Sequence, residues 1–306
     1  MKKLLIIVSM FVMLFAVGCG EEEITSGEFE YSEYEDGIKI TGFEFDEDID
    51  KDEIDFSEMK YIPSSIDGED VVKIDYFYGG MDTAPFERIG VPDGVKEIGS
   101  YVFRDDELKE VDLPDSIEKI GTSAFENNNL EFASIANAEV IGQRAFDDNN
   151  LVEAEFSDDL EKIELYAFRD NKIEDVRLTG NIIEIQTGVF KNNNISNLEL
   201  SNSIEEISTG AFSGNKITEV DIPKNLETVQ GFSGNKIENV TFHDGVTKID
   251  SFAFRDNNLS EVDIPPSVNE IRHSAFEDNN LNKVELKEGV DIEPDSFDDD
   301  VEITKY

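Results

Sequence analysis

The sequence predicts a solenoid faced by parallel β-strands, and three observations predict it. A Phe recurs at Phe103, Phe125, Phe146, Phe168, Phe190, Phe212, Phe232, Phe254, Phe276 and Phe297, with gaps of 22, 21, 22, 22, 22, 20, 22, 22 and 21 residues. A fixed period of this length is the mark of a stacked repeat array. Apolar residues keep fixed offsets from each Phe. They stand at minus eight and minus five (Ile117 and Ile120, Ile204 and Ile207), at plus five, and at plus eight and plus ten (Val111 and Leu113, Val176 and Leu178). The last pair alternates with polar residues, as in a half-buried strand. A polar column runs at plus three, beginning with Asp106 and continuing as Asn128, Asn149, Asn171, Asn193, Asn215, Asn235, Asn257 and Asn279.

The chain opens with Met1-Lys2-Lys3 and an apolar run from Leu4 to Val17 broken only by Ser9. That run is short for a membrane span and reads as a secretory signal. The stretch Ala16-Val17-Gly18-Cys19 resembles a bacterial lipobox, with Ala16 where Leu is more usual. The resemblance implies cleavage after residue 18, a diacylglycerol thioether on Cys19 and attachment to a membrane. The alternative is an ordinary secretory signal with an incidental Cys. Residues 19–27 then form a lipidated, acidic tether.

Residues 28–60 are expected to form an N-terminal β cap with an acidic loop. Phe29, Tyr31 and Tyr34, then Ile38 and Ile40, alternate like two strands joined at Asp36-Gly37, a hairpin signal. Solenoids need caps, because an open core end and a bare strand edge aggregate. Asp46, Asp48 and Asp50 match the first spacings of a calcium loop, but Lys51 stands where Gly is required and Ser57 where Glu is required. The stretch is read as a solvated acidic loop, with no metal site. An atypical first coil follows, with Tyr76, Phe77 and Tyr78 near the Phe column. Regular repeats run from residue 91, and one coil, ending at Phe232, is two residues short.

No single unit of this size can bury its own apolar face, but stacking turns each column into a continuous ridge of core. An inward Asn can satisfy the backbone N–H and C=O groups that a turn leaves unpaired. Asn also tolerates the left-handed backbone of a sharp corner. The Asn column is therefore read as a structural ladder.

The unit Ile-x-x-x-Ala-Phe-x-x-Asn-x-Leu-x-x-Val-x-Ile-Pro resembles the BspA-like leucine-rich repeat of bacterial surface proteins, over residues 61–306. Tyr61-Ile62-Pro63-Ser64-Ser65-Ile66-Asp67-Gly68 resembles that family's opening repeat. The family often carries Cys in place of the Asn column. The resemblance implies a right-handed superhelix of about 11 coils with a parallel sheet along one face. At a strand spacing of about 4.8 Å this would make a rod roughly 50 Å long. It also implies a surface-exposed scaffold, since members of the family include adhesins.

Of 306 residues, 71 are Asp or Glu and 26 are Lys or Arg, a formal charge of −45. Loss of residues 1–18 removes two Lys and no acid, giving −47. Such a charge argues against nucleic acid and anionic lipid as electrostatic partners, and favours a cationic partner or cations. A single Cys allows no internal disulfide. His243 and His273 lie at different phases of the repeat, outside any triad or metal-ligand spacing, so neither an enzyme nor a cofactor is expected.

Binding is expected on the strand face. The outward column at plus nine holds Glu155, Arg177, Glu199, Asp221 and Asp263, and the column at plus seven holds Phe132 among polar residues. An outward Phe is a candidate interface anchor, unless the 21-residue coil shifts the local register. Two functions fit. One is an outward-facing, lipid-anchored scaffold of the bacterial cell envelope, binding a protein or envelope component. The other is an acidic structural or cation-sequestering envelope protein with no specific protein ligand.

Overall fold

The computed structural model describes residues 27–45, 60–75 and 86–306. The leader, Cys19 and residues 20–26 of its tether, residues 46–59 and Tyr76–Tyr78 lie outside the described residues. Within them the chain is a parallel β-solenoid of coils of about 22 residues, about ten turns in all, with no helix.

The ten phenylalanines form the spine. Each ring stacks on the next, with centroids 5.2–5.8 Å apart and planes within 15° of parallel. All are fully buried except Phe297, which is 8% exposed. Offset stacking suits the ring quadrupole and adds about 0.5–1.5 kcal/mol per pair beyond burial. The small residue before the Phe (Ala124, Ala145, Ala167, Ala211, Ala253, Ala275) is also fully buried, leaving room for the ring of the neighbouring coil.

Each Asn of the ladder ties two coils together. Asn171 accepts from the Leu151 N–H at 3.0 Å, and its amide donates to the Phe146 carbonyl at 2.8 Å and to its own coil's Phe168 carbonyl at 3.2 Å. The same three bonds recur at Asn128, Asn149, Asn193, Asn215, Asn235, Asn257 and Asn279. One amide group thus supplies an acceptor and a donor to main chain that the strand ladders do not reach. The left-handed corner, however, is not at these residues. It falls one position earlier, at Asn127, Asp148, Asp170, Asn192, Gly214, Gly234, Asp256 and Asp278, and again two positions before the Phe. The inward Asn keeps an ordinary backbone because its side chain must reach back to the preceding coil.

The parallel sheet expected at plus eight and plus ten exists, but in pieces. Lys60–Tyr61, Arg88–Gly90, Glu110–Asp112 and Phe132–Ala133 form one ladder. Asp175–Leu178 pairs only Asn197–Leu200, Glu219–Asp221 only Asn239–Thr241, and Lys283–Leu286 only Glu302–Lys305. The more continuous ladder lies around the minus-five position. It runs through Glu97–Ile98, Lys119–Ile120, Val140–Ile141, Lys162–Ile163, Glu184–Ile185 and Glu206–Ile207, within a ten-stranded sheet. It resumes as Thr228–Val229, Lys248–Ile249, Glu270–Ile271 and Asp291–Ile292. The interruption falls between Glu206–Ile207 and Thr228–Val229, which keep the usual 22-residue spacing but do not pair; the two missing residues of the short coil come after Val229, before Phe232. Each strand of this ladder is only two residues long, too short to show alternation in the sequence.

At the N-terminus, Gly27–Tyr34 and Gly37–Phe45 form an antiparallel hairpin whose turn is Glu35-Asp36, one residue before the expected position. Its second strand pairs in parallel with Glu69–Ile74. Ile38 and Ile40 enter the core there, with 3% and 0% exposure. The hairpin thus covers the strand edge of the first coil.

Candidate functional site: the interrupted strand face

Strand alternation sends Val111, Val176, Val220 and Val284 inward and the residues beside them outward. Glu155, Arg177, Glu199, Asp221 and Asp263 are all exposed, and Phe132 is 50% exposed. Phe132 pairs with Glu110 and Ala133 with Val111, so the ring points outward in normal register despite the 21-residue coil. The structure brings two of the named residues into direct apposition: Arg177 lies opposite Glu199 in the ladder. The others are spread along the face rather than gathered in one pocket.

Charges on this face are partly paired. Arg88 bonds Glu110 at 2.6 Å, and Lys283 bonds Glu285 at 2.6 Å. The Lys283 ammonium holds the Glu285 carboxyl below the usual carboxylate range, and Glu285 in turn raises Lys283. Asn197 donates to Asp175 at 2.7 Å. Exposed pairs of this kind contribute little to stability, so they leave the face free to exchange partners.

The ladder is broken where Asn197–Leu200 and Glu219–Asp221 do not pair, and at two gaps where a coil forms no strand; the sequence showed none of these breaks. The first gap is at Glu153–Phe156, between Phe132–Ala133 and Asp175–Leu178. Val152 donates to the Glu131 carbonyl at 3.2 Å, and Glu174 donates to the Val152 carbonyl at 3.3 Å, but the backbone of the next four residues makes no hydrogen bond. Here the inward pair is Ala154 and Phe156, small then large. The Phe156 ring sits edge-on to Phe168 at 5.4 Å and Phe190 at 5.8 Å. Val152, 44% exposed, stands beside the gap in the coil next to Phe132. The second gap is at Glu261–Ile264. Those residues with Lys283, Glu285 and Tyr306 line an open groove of about 480 Å³. The sequence carried a signal at the first gap, the Ala–Phe swap at plus eight and plus ten, but not its consequence for pairing.

Elsewhere the charged and aromatic groups serve the coil corners. Tyr101, Tyr166 and Phe252 adopt φ of 64°, 60° and 60°, a left-handed backbone costly for bulky residues. Arg104, Arg169 and Arg255 lie over these rings at 5.8, 5.0 and 5.8 Å. His243 accepts from the Gly245 N–H, and His273 packs edge-on to Phe252. Among the described residues no three His, Cys, Asp or Glu side chains converge as a metal site.

A model of the BspA type leucine rich repeat region matches the chain over residues 75–194, 129–233 and 183–304, with six copies. No curated protein matches. Among solved structures, the chain is similar to the pneumococcal vaccine antigen PcpA, at 15% identity and a TM-score of 0.56, over 93% of this chain and 87% of that one. It is also similar to the T. pallidum leucine rich repeat protein TpLRR, at 22% identity and a TM-score of 0.48, over 64% of this chain and 89% of that one. A leucine-rich repeat protein from Bacteroides ovatus matches at 19% identity and a TM-score of 0.45, over 92% of this chain and 99% of that one. With the family model spanning residues 75–304 and the coils stacked as that repeat requires, the chain belongs to the BspA type leucine-rich repeat family.

Proposed function

We propose that this chain is a non-enzymatic binding scaffold of the bacterial cell envelope, anchored through Cys19 and facing outward. Its ligand surface is the interrupted strand face, and its partner is a protein or envelope component carrying positive charge. The observation that carries the reading is the row of exposed side chains Phe132, Glu155, Arg177, Glu199, Asp221 and Asp263 on one side of a rigid array. Solenoid sheets offer extended binding surfaces of this type. The family is typical of bacterial surface proteins, which supports the outward location.

The test compares two charge reversals. Glu155→Lys, Glu199→Lys and Asp221→Lys change the interrupted face. Glu161→Lys, Glu184→Lys and Glu205→Lys change residues in and beside the continuous ladder. Both triples shift the net charge by +6, so long-range attraction changes equally. Binding of cationic envelope or host proteins should fall only with the first triple. Equal losses from both would favour the cation-sequestering alternative, in which bulk acidity is itself the function.

A further inference from the structure

One face of the array departs from the acidity of the rest. It is formed by the stretch from two residues before each core Phe to four after it. Near the N-terminal end this face carries Asp105, Asp106 and Glu107, and near the C-terminal end Glu277, Asp278 and Asp298. Between them four successive coils each contribute one exposed lysine: Lys172, Lys191, Lys216 and Lys236. Main-chain bonds fix their register. The N–H groups of Asn194, Lys216 and Lys236 donate to the carbonyls of Ile173, Ile195 and Ile217 in the preceding coil, at 3.0, 2.9 and 3.0 Å. The lysines therefore rise along the face at the coil spacing, which the stacked core rings set at 5.5–5.6 Å. Residues 186–196, 208–218 and 230–237 contain no acid, in a chain where 71 of 306 residues are Asp or Glu. Elsewhere the array neutralises its cations. Lys162 and Lys248 hold carboxylates at 2.5 and 2.8 Å, and Arg169 and Arg255 hold two each, whereas none of the four lysines forms an ion pair among the described residues. Like charges in neighbouring coils repel and gain nothing for the fold. An anion lying across them relieves that repulsion.

The surroundings select the anion. With a Debye length of about 8 Å at physiological salt, the distant carboxylates do not cancel the lysines. The acidic ends of the same face, however, exclude a long polyanion such as nucleic acid. Beside the ammonium groups stand Thr187, Asn192, Asn194, Thr209 and Ser233, none of them buried. Such hydroxyls and amides both donate and accept hydrogen bonds, as sugar hydroxyls do. The half-buried Tyr166 ring bounds the lysine-bearing coils at one end, and Phe252, 39% exposed, at the other. A peptide would need an apolar anchor among the lysines, and the face offers none there. One sugar unit is about as long as one coil step, so one lysine per coil matches one carboxylate per sugar. We infer that the face from Lys172 to Lys236 binds a short acidic glycan with a carboxylate on each sugar. Lys191, Lys216 and Lys236 hold the carboxylates, and the neighbouring hydroxyl and amide side chains hold the sugar. This face is distinct from the strand surface proposed above and takes a ligand of opposite charge, so the two stand or fall separately.

The probes are fluorescein-labelled tetragalacturonate, which carries one carboxylate per sugar, maltotetraose as its neutral counterpart and tetraglutamate as its sugar-free one. Each is titrated with the intact protein at about 150 mM salt, and binding is read by fluorescence polarisation. Tetragalacturonate should bind about tenfold more tightly than either control. Lys191→Gln, Lys216→Gln and Lys236→Gln together should weaken its binding about tenfold. Lys96→Gln, Lys162→Gln and Lys248→Gln remove the same three charges in and beside the continuous ladder, and should leave the affinity within about twofold. No binding of tetragalacturonate, or equal weakening by the two triples, overturns the site. Maltotetraose bound as tightly as tetragalacturonate overturns the role of the lysines, and tetraglutamate bound as tightly overturns the glycan as ligand.

Discussion

The carboxylate of Asp147, only 1% exposed, is gripped by the Arg169 guanidinium of the next coil through two hydrogen bonds, at 2.8 Å from Nε and 2.6 Å from Nη2. Burial pushes the Asp147 carboxyl up, and Arg169 opposes that push. Removing the arginine leaves a desolvated carboxylate with little to compensate it. Arg169→Met should therefore destabilise the solenoid by about 2–3 kcal/mol. Asp147→Asn combined with Arg169→Met should recover much of the loss. Chemical denaturation of the single and double variants checks both statements.

Asp106 begins the column that is Asn from Asn128 to Asn279. Burial, followed by the neighbouring Asp105 charge, pushes its carboxyl up to about 7. A carboxyl raised in the folded state above its unfolded value of about 3.8 favours the protonated fold. Stability should thus fall as pH rises from about 4 to about 7, then level off. Asp106→Asn should abolish this slope and stabilise the protein at pH 8 by on the order of 1–2 kcal/mol, allowing for partial solvent screening. A pH series of denaturation midpoints for the two proteins is the measurement, and parallel curves would contradict it.

The two inward columns should respond differently to truncation. Phe168→Ala removes a ring stacked on both sides and should cost about 3–5 kcal/mol through the cavity left behind. Asn171→Ala strands the Leu151 N–H and leaves the Phe146 and Phe168 carbonyls with only the donors from Asn149 and Asn193, and should cost about 1–3 kcal/mol. An Asn171→Ala protein of native stability that had lost a binding activity would make that column a ligand site instead.

Gly188 is required for a reason outside its own coil. A Cβ there would meet the Tyr166 ring at 2.5 Å, and its φ is +63°. Gly188→Ala should cost about 1–2 kcal/mol from the left-handed backbone and more from the displaced ring. Pairing it with Tyr166→Ala should recover only the collision, and calorimetry of the set separates the two contributions.

Lipid attachment is tested at Cys19. Cys19→Ser should either release the protein into the medium or periplasm or leave the leader uncleaved. Unchanged partitioning of that variant into a detergent phase would rule out the thioether anchor.

The repeat was legible because it depends on composition at fixed offsets. Phe103 to Phe297, the Ala before most of them and the Asn from 128 to 279 declare the period, the inward positions and hence the stacked core. The outward direction of Phe132 and Glu155 follows from strand alternation. The stacking of one coil on the next decided the rest. Whether Ile120 finds Ile141 and Ile98 as strand partners depends on inter-coil register, and two residues such as Lys119-Ile120 are too few to show a period. The left-handed corners at Asn127 and Asp148 emerge only once Asn128 and Asn149 must reach back to the preceding coil. The Asp147–Arg169 pair joins side chains 22 residues apart, and the gap at Glu153–Phe156 is a failure of pairing between coils. The sequence determined which residues face the core, because burial is a property of each repeat. The tertiary structure decided which main-chain groups stay unpaired, because pairing is a property of two coils together.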